Sequence, residues 1–210
     1  MPKRTRGMDE GDSTRDRALA IAIRLIQERG YNGFSFQDIA KELGISHVAV
    51  HHHFATKADL VVAAIQHYSE AFAAELRAID QQQLEPAAAL RAFAQLFRST
   101  LADGSRVCLC GMLTAELTSL PDRATPLLRR FYQDNEAWLT EVLCRSLSWS
   151  AARVATLAAA FLAALEGAMM SARAFGDARR LADAAEWLIG QLAASPQAPR
   201  QEPARRRTRS

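Results

Sequence analysis

The sequence predicts an all-α fold of about nine helices. Three observations carry that prediction. Glycine and proline are scarce, at 10 and 7 of 210 residues, while alanine and leucine dominate. This composition favours helix over strand. Apolar residues recur at helical spacing through most of the chain, and no stretch alternates with period two. Helix-start signals stand before the periodic segments: Ser35 with Asp38, and Thr56 with Asp59, have capping-box spacing.

Taken in order, residues 1–11 are expected to be a disordered basic arm carrying Lys3, Arg4 and Arg6. A first helix is expected near Ser13, where Ser13 and Asp16 repeat the capping-box spacing. Its stripe is Ala18, Ile21, Ala22, Leu25 and Ile26, and Gly30 suits its C-cap. A short second helix, 37–43, stops at Gly44. Ser46 caps a third running to His53, and Thr56 caps a fourth reaching Ile79. Pro86 suits the first turn of a fifth. Further helices are expected over 106–119, 124–148, 151–174 and 178–194, punctuated by Gly104, Pro121, "SWSA" and "FGDA". Residues 196–210, rich in Pro, Gln and Arg, are expected to be a disordered basic tail.

The net charge of +3 is too small to indicate nucleic acid by itself, and the middle of the chain is close to neutral. Three cysteines, Cys108, Cys110 and Cys144, form no disulfide framework and suit a reducing cytoplasm. The charged N-terminus carries no apolar signal core. The most apolar stretch, Arg153 to Glu166, is expected to fall short of the roughly 20 residues that cross a membrane. A cytoplasmic protein without a membrane partner is the expectation.

Within residues 38–54, Ala40 supplies the small residue at which two short helices can cross, and Gly44 supplies the positive φ their turn needs. Ile39, Leu43, Val50 and Phe54 can share one core. This is the spacing of a DNA-reading helix–turn–helix, with Ser46–His53 as its recognition helix. The stretch "TRDRALAIAIRLIQERGYNGFSFQDIAKELGISHVAVHHHFATKADLVVAAI", Thr14 to Ile65, resembles the N-terminal domain of the TetR family of bacterial transcriptional regulators. The match includes "ERGY", "DIAKELGIS", and the His53, Phe54, Lys57, Leu60 pattern.

In that register the expected DNA-contacting set is Ser35, Ser46, His47, Val48, Ala49, His51, His52 and Lys57. His47 faces the groove, His51 stands where the family usually has tyrosine, and His52 lies near phosphate. Lys57 resembles the family's phosphate contact at a helix N-terminus. His53 is read as structural, beside Phe54. His47 and His51 are i and i+4, a spacing that can hold a metal, but no Cys, Asp or Glu completes a site on that face. No metal and no cofactor are expected.

The resemblance implies a DNA-binding domain over 12–58 and a helical effector-binding and dimerisation domain over 59–195. Candidate effector contacts are Phe93, Phe97, Cys108, Met112, Glu116, Phe131, Asn135, Trp138, Met169 and Arg173, a mostly apolar set with a few polar groups. Cys108, Met112 and Ala115 are placed on one helical face. "RVCLCGMLTAEL" is similar to the sixth helix of TetR-type sensors of electrophiles or oxidants, with Cys108 at the matching position and Arg106 able to lower its pKa if close. The helices from 151 and 178 read as a dimer interface, with Leu181, Ala185, Leu188 and Leu192 on one face.

Together these imply a homodimeric repressor on a palindromic double-stranded operator, released by a small-molecule effector. A thiol sensor on the same scaffold, and a ligand carrier that has lost DNA binding, are the alternatives. An enzyme is not expected: no Ser/His/Asp or Cys/His order and no paired carboxylates stand out.

Overall fold

The computed structural model describes residues 7–101, 105–146 and 149–193. Among the described residues every regular element is helical. In chain order they are α1 (Gly7–Arg29), α2 (Phe36–Leu43), α3 (His47–His53), α4 (Lys57–Gln81), α5 (Pro86–Thr100), α6 (Leu109–Ala115), a 3-10 turn at Leu117–Ser119, α7 (Ala124–Cys144), α8 (Ala151–Phe175) and α9 (Arg179–Ala193). Lys3, Arg4, Arg6 and the tail from residue 196 lie outside the described residues.

Local chemistry sets most boundaries. Ser35 and Thr56 each form a full capping box, with Asp38 and Asp59 respectively. Ser46 caps α3 by accepting the Ala49 N–H at 3.2 Å. Gly44 ends α2 at φ 69°, and Gly176 ends α8 at φ 62°. Three elements depart from expectation. α1 starts at Gly7 and runs through Ser13, so the helix begins earlier than expected. α7 stops at Cys144 rather than 148. α6 is short because its expected first turn is drawn elsewhere: the Val107 N–H donates to the Gln27 carbonyl of α1 at 3.3 Å. Cys108 therefore caps α6 with extended backbone. Its carbonyl still accepts the Met112 N–H at 3.0 Å, but Cys108 is buried where Met112 is half-buried and Ala115 exposed.

α1, α2 and α3 form a small unit around Ile39, Leu43, Val50 and Phe54, all buried. α4 packs against α1 and also against α5, α6 and α7, so the expected boundary at 58/59 falls inside one continuous helix. The centre of the larger unit is aromatic. Phe72 meets Phe93, Phe97 and Phe131 edge-on at 5.4–5.9 Å, and Phe93 stacks on Trp138 at 5.4 Å. Such pairs add to the area they bury.

α8 packs between α7 and α9, and α9 also lies on α5. Of the α9 face expected to meet a second copy, Leu181 and Ala185 are buried within the chain, while Leu188 and Leu192 are half-buried against the same core. The large side chains left outside there are Met170, Phe175 and Trp187. Contrary to expectation, α8 is by length and composition long and apolar enough to cross a membrane. One of its faces, including Val154, Phe161 and Leu165, is buried inside the fold.

Candidate functional site

The α2–turn–α3 unit presents one polar face. Val50 pins α3 to the core, which leaves His47, Val48, His51 and His52 exposed and Ala49 half-buried. Val48, at 65 % exposed, is an apolar side chain with no role in this chain's core. His47 and His51 meet edge-on at 4.6 Å, and His51 meets Phe36 at 4.7 Å. His51 Nδ1 lies 3.3 Å from the Ala55 carbonyl oxygen. These contacts fix the two rings on one side of α3. Among the described residues no group of three His, Cys, Asp or Glu is placed to hold a metal ion. His53 is half-buried next to buried Phe54.

Lys57 is not turned outward. Its Nζ donates to the Phe34 carbonyl and lies over the rings of Tyr31 (4.6 Å) and Phe34 (4.3 Å). Burial pushes its pKa down, against the opposing pull of Glu116 and Asp38. Held this way, the ammonium is engaged by a carbonyl and two rings of its own chain.

The expected effector contacts separate into three groups. Phe93, Phe97, Phe131, Trp138 and Met169 are core, each under 9 % exposed. Asn135 is buried among them: its Nδ2 donates to the Phe131 carbonyl at 2.7 Å, while its Oδ1 has no hydrogen-bond partner among the described residues. Trp138 Nε1 donates to Asp80 at 2.9 Å.

Glu116, Met112 and Arg173 form the second group, and they grip the end of α1 instead of lining an apolar cavity. Glu116 Oε2 accepts the backbone N–H groups of Tyr31 and of Asn32, the latter at 3.2 Å. It lies against Gly30, whose φ of 77° turns the chain there. Arg173 Nη2 donates to the Glu28 carbonyl, and Nη1 lies 3.6 Å from Met112 Sδ.

Cys108, buried with Cys110, belongs to a third group that the sequence did not bring together, whose other members Tyr68 and Glu166 are half-buried. Tyr68 of α4 donates to Cys108 Sγ at 3.8 Å. Cys110 and the Glu166 carboxyl of α8 stand beside the same thiol. Burial first, and then Cys110, pushes the Cys108 thiol well up, so Arg106 does not activate it as expected. Burial likewise pushes Glu166 up to about 10. Its Oε1 has no hydrogen-bond partner among the described residues. Glu166 did leave a signal: it is the single charge between Arg153 and Arg173. Tyr68 left none, because its partners lie far along the chain.

Beside this group, α4 and α5 bound a cleft of about 410 Å³ lined by Tyr68, Phe72, Glu75, Leu96 and Thr100 among others. None of the expected effector contacts lines it.

Two stretches of the chain match models of known protein families. Residues 18–64 match the model for bacterial regulatory proteins of the tetR family, and residues 86–187 match that for the C-terminal domain of LmrA/YxaF-like transcriptional regulators. The chain is similar to the transcriptional regulator AcuR of Cereibacter sphaeroides, at 30 % identity over 57 % of this chain; the match spans only 56 % of that relative's length. A TetR-family regulator from Agrobacterium tumefaciens superposes with a TM-score of 0.81 at 30 % identity, covering 86 % of this chain and 98 % of its own. One from Legionella pneumophila gives 0.80 at 30 % identity, covering 85 % and 96 %. The chain belongs to the TetR family of DNA-binding transcriptional regulators.

Proposed function

We propose that this regulator is a cytoplasmic, effector-released repressor that binds a palindromic operator as a homodimer. The observation that carries the reading is α3 itself. The helix is capped at Ser46, anchored by Val50, and free to offer His47, Val48, His51 and His52 to a major groove. A seven-residue helix reads only a few base pairs, so two copies related by a twofold axis are needed, with half-sites roughly 34–36 Å apart or a multiple of that. Exposed small residues on α8, Thr156, Ala160, Ala163 and Gly167, allow close approach of a second copy, and Trp187 of α9 offers a large apolar anchor. A small molecule has room in the cleft of about 410 Å³ between α4 and α5, whose lining is mostly apolar with a few polar groups. The thiol-sensor alternative is weakened by the burial of Cys108, which keeps it protonated.

The test is fluorescence anisotropy on the protein's own upstream DNA against scrambled DNA at near-physiological salt. We expect at least a ~10³-fold preference for the specific site and two chains per site. His47→Ala should change which sequences are preferred, whereas Lys57→Ala should weaken all of them alike. Equal binding to scrambled DNA would overturn the reading.

A further inference from the structure

One side chain on the outer face of α3 has its hydrogen-bonding sense fixed by the fold. His51 Nδ1 lies 3.3 Å from the Ala55 carbonyl oxygen, just past the end of the helix. A carbonyl oxygen only accepts, so Nδ1 carries the hydrogen of this contact. In a neutral imidazole the other nitrogen then holds a lone pair and no hydrogen. The two nitrogens stand on opposite flanks of the ring, so Nε2 points away from Ala55. The ring is braced in that pose by two others, edge-on to Phe36 at 4.7 Å and to His47 at 4.6 Å. His51 is exposed, so the acceptor is offered to the surroundings of α3 and not to the core. Val48 stands three residues earlier, on the same helical face, as an exposed apolar side chain.

We propose that in each operator half-site His51 selects a base with an exocyclic amino group in the major groove, adenine through N6 or cytosine through N4, beside a thymine whose methyl packs on Val48. Elimination carries the first half. Phosphate oxygens, guanine N7 and O6, and thymine O4 are all acceptors and would meet Nε2 lone pair to lone pair. Only the amino groups of adenine and cytosine donate in that groove. Chemistry and spacing carry the second half. A valine side chain has no hydrogen bond to offer, and the thymine methyl is the apolar group the groove presents. Val48 and His51 are separated by about 4.5 Å along the helix axis. Stacked base pairs are ~3.4 Å apart, so the two bases are neighbours. Because the Ala55 carbonyl and the two rings set the pose before DNA arrives, little side-chain freedom is lost on binding.

This inference deepens the operator-binding reading and rests on it. Its test is selection from randomised duplexes by the full-length protein at pH 8, where imidazoles are neutral. We expect each enriched half-site to hold a thymine next to an adenine or a cytosine. His51→Ala should lose the preference at the second of these positions alone, and His51→Lys, which can only donate, should turn it to guanine. Val48→Ser should lose the thymine. Base analogues then identify the atom. Where adenine is selected, purine in one half-site lacks the amino group and should weaken binding of the native protein about three- to tenfold. It should not weaken that of His51→Ala, and 7-deazaadenine, which lacks only the N7 acceptor, should bind as adenine does. Where cytosine is selected, 2-pyrimidinone plays the part of purine. Nitrogen-15 spectra of the DNA-free protein should place the His51 hydrogen on Nδ1. A hydrogen on Nε2, a guanine or thymine at the His51-dependent position, or an unchanged selection by His51→Ala would overturn the proposal while leaving operator binding intact. Enrichment of no sequence would overturn the operator-binding reading itself, and this inference with it.

Discussion

Glu166 shows how one residue can work against the fold that carries it. In the unfolded chain its carboxyl titrates near 4.5; in the native state burial raises it to about 10. The native protein therefore holds a proton that the unfolded chain has lost. Its stability falls as pH rises between those two values, by at most about 1.4 kcal/mol per pH unit. Glu166→Gln removes the titration and keeps the shape. The stability of this variant relative to the native sequence should grow between pH 5 and pH 8, read as the shift in denaturation midpoint. A difference that stays constant over that range would mean that Glu166 reaches water in the native state. The lone charge in an apolar helix was legible in the sequence. Its neighbours were not, because Tyr68 and Cys108 come from α4 and the start of α6, and only folding brings them to it.

At the scale of the element, the helix–turn–helix was the most legible part of the chain because its boundaries are set by local chemistry. Ser35, Ser46 and Thr56 cap α2, α3 and α4 as their spacing indicates, and Gly44 takes the left-handed conformation that the turn needs. There the Ile45 N–H donates to the Ala40 carbonyl at 3.1 Å, closing the end of α2. A Cβ built at Gly44 meets nothing within 4 Å, so Gly44→Ala costs only backbone strain. That cost should be about 1–2 kcal/mol, read as a lowered midpoint of guanidinium unfolding with an unchanged slope. An unchanged midpoint would show that the turn can relax to negative φ. α6 departs from its expected bounds for the opposite reason. Its first turn is decided by a long-range bond, Val107 to Gln27, which no local pattern records. The α9 stripe of Leu181 and Ala185 was also correctly seen as apolar. Periodicity reports that a face is buried but does not say whether its partner is the same chain or another.

Across the whole molecule, the two units meet at the end of α1, and the groups that join them, Glu116 and Arg173, are ones whose sequence suggests effector contacts. Arg173 from α8 holds the Glu28 carbonyl, and Glu116 beyond α6 holds the backbone of Tyr31 and Asn32. Polar residues in the sequence of a sensor domain look alike whether they meet a ligand or a neighbouring unit; only their partners distinguish them. Glu116 also acts at a distance, since its charge favours the inward Lys57 ammonium, which by family resemblance must reach a phosphate. Leaving the Phe34 carbonyl and the two rings is made harder by that attraction. Glu116→Gln keeps an oxygen for the Tyr31 and Asn32 amides and deletes the charge. Operator affinity should therefore rise about two- to fivefold at low salt, the size expected of a partly exposed charge pair worth ~0.5–1 kcal/mol. In a Lys57→Ala background the same substitution should change nothing, because the ammonium it acts on is gone. Equal gains in both backgrounds would place the effect of Glu116 in the geometry of the α1 end instead. A gain confined to the Lys57 background would make an acid of the effector domain a direct electrostatic restraint on the DNA-binding one.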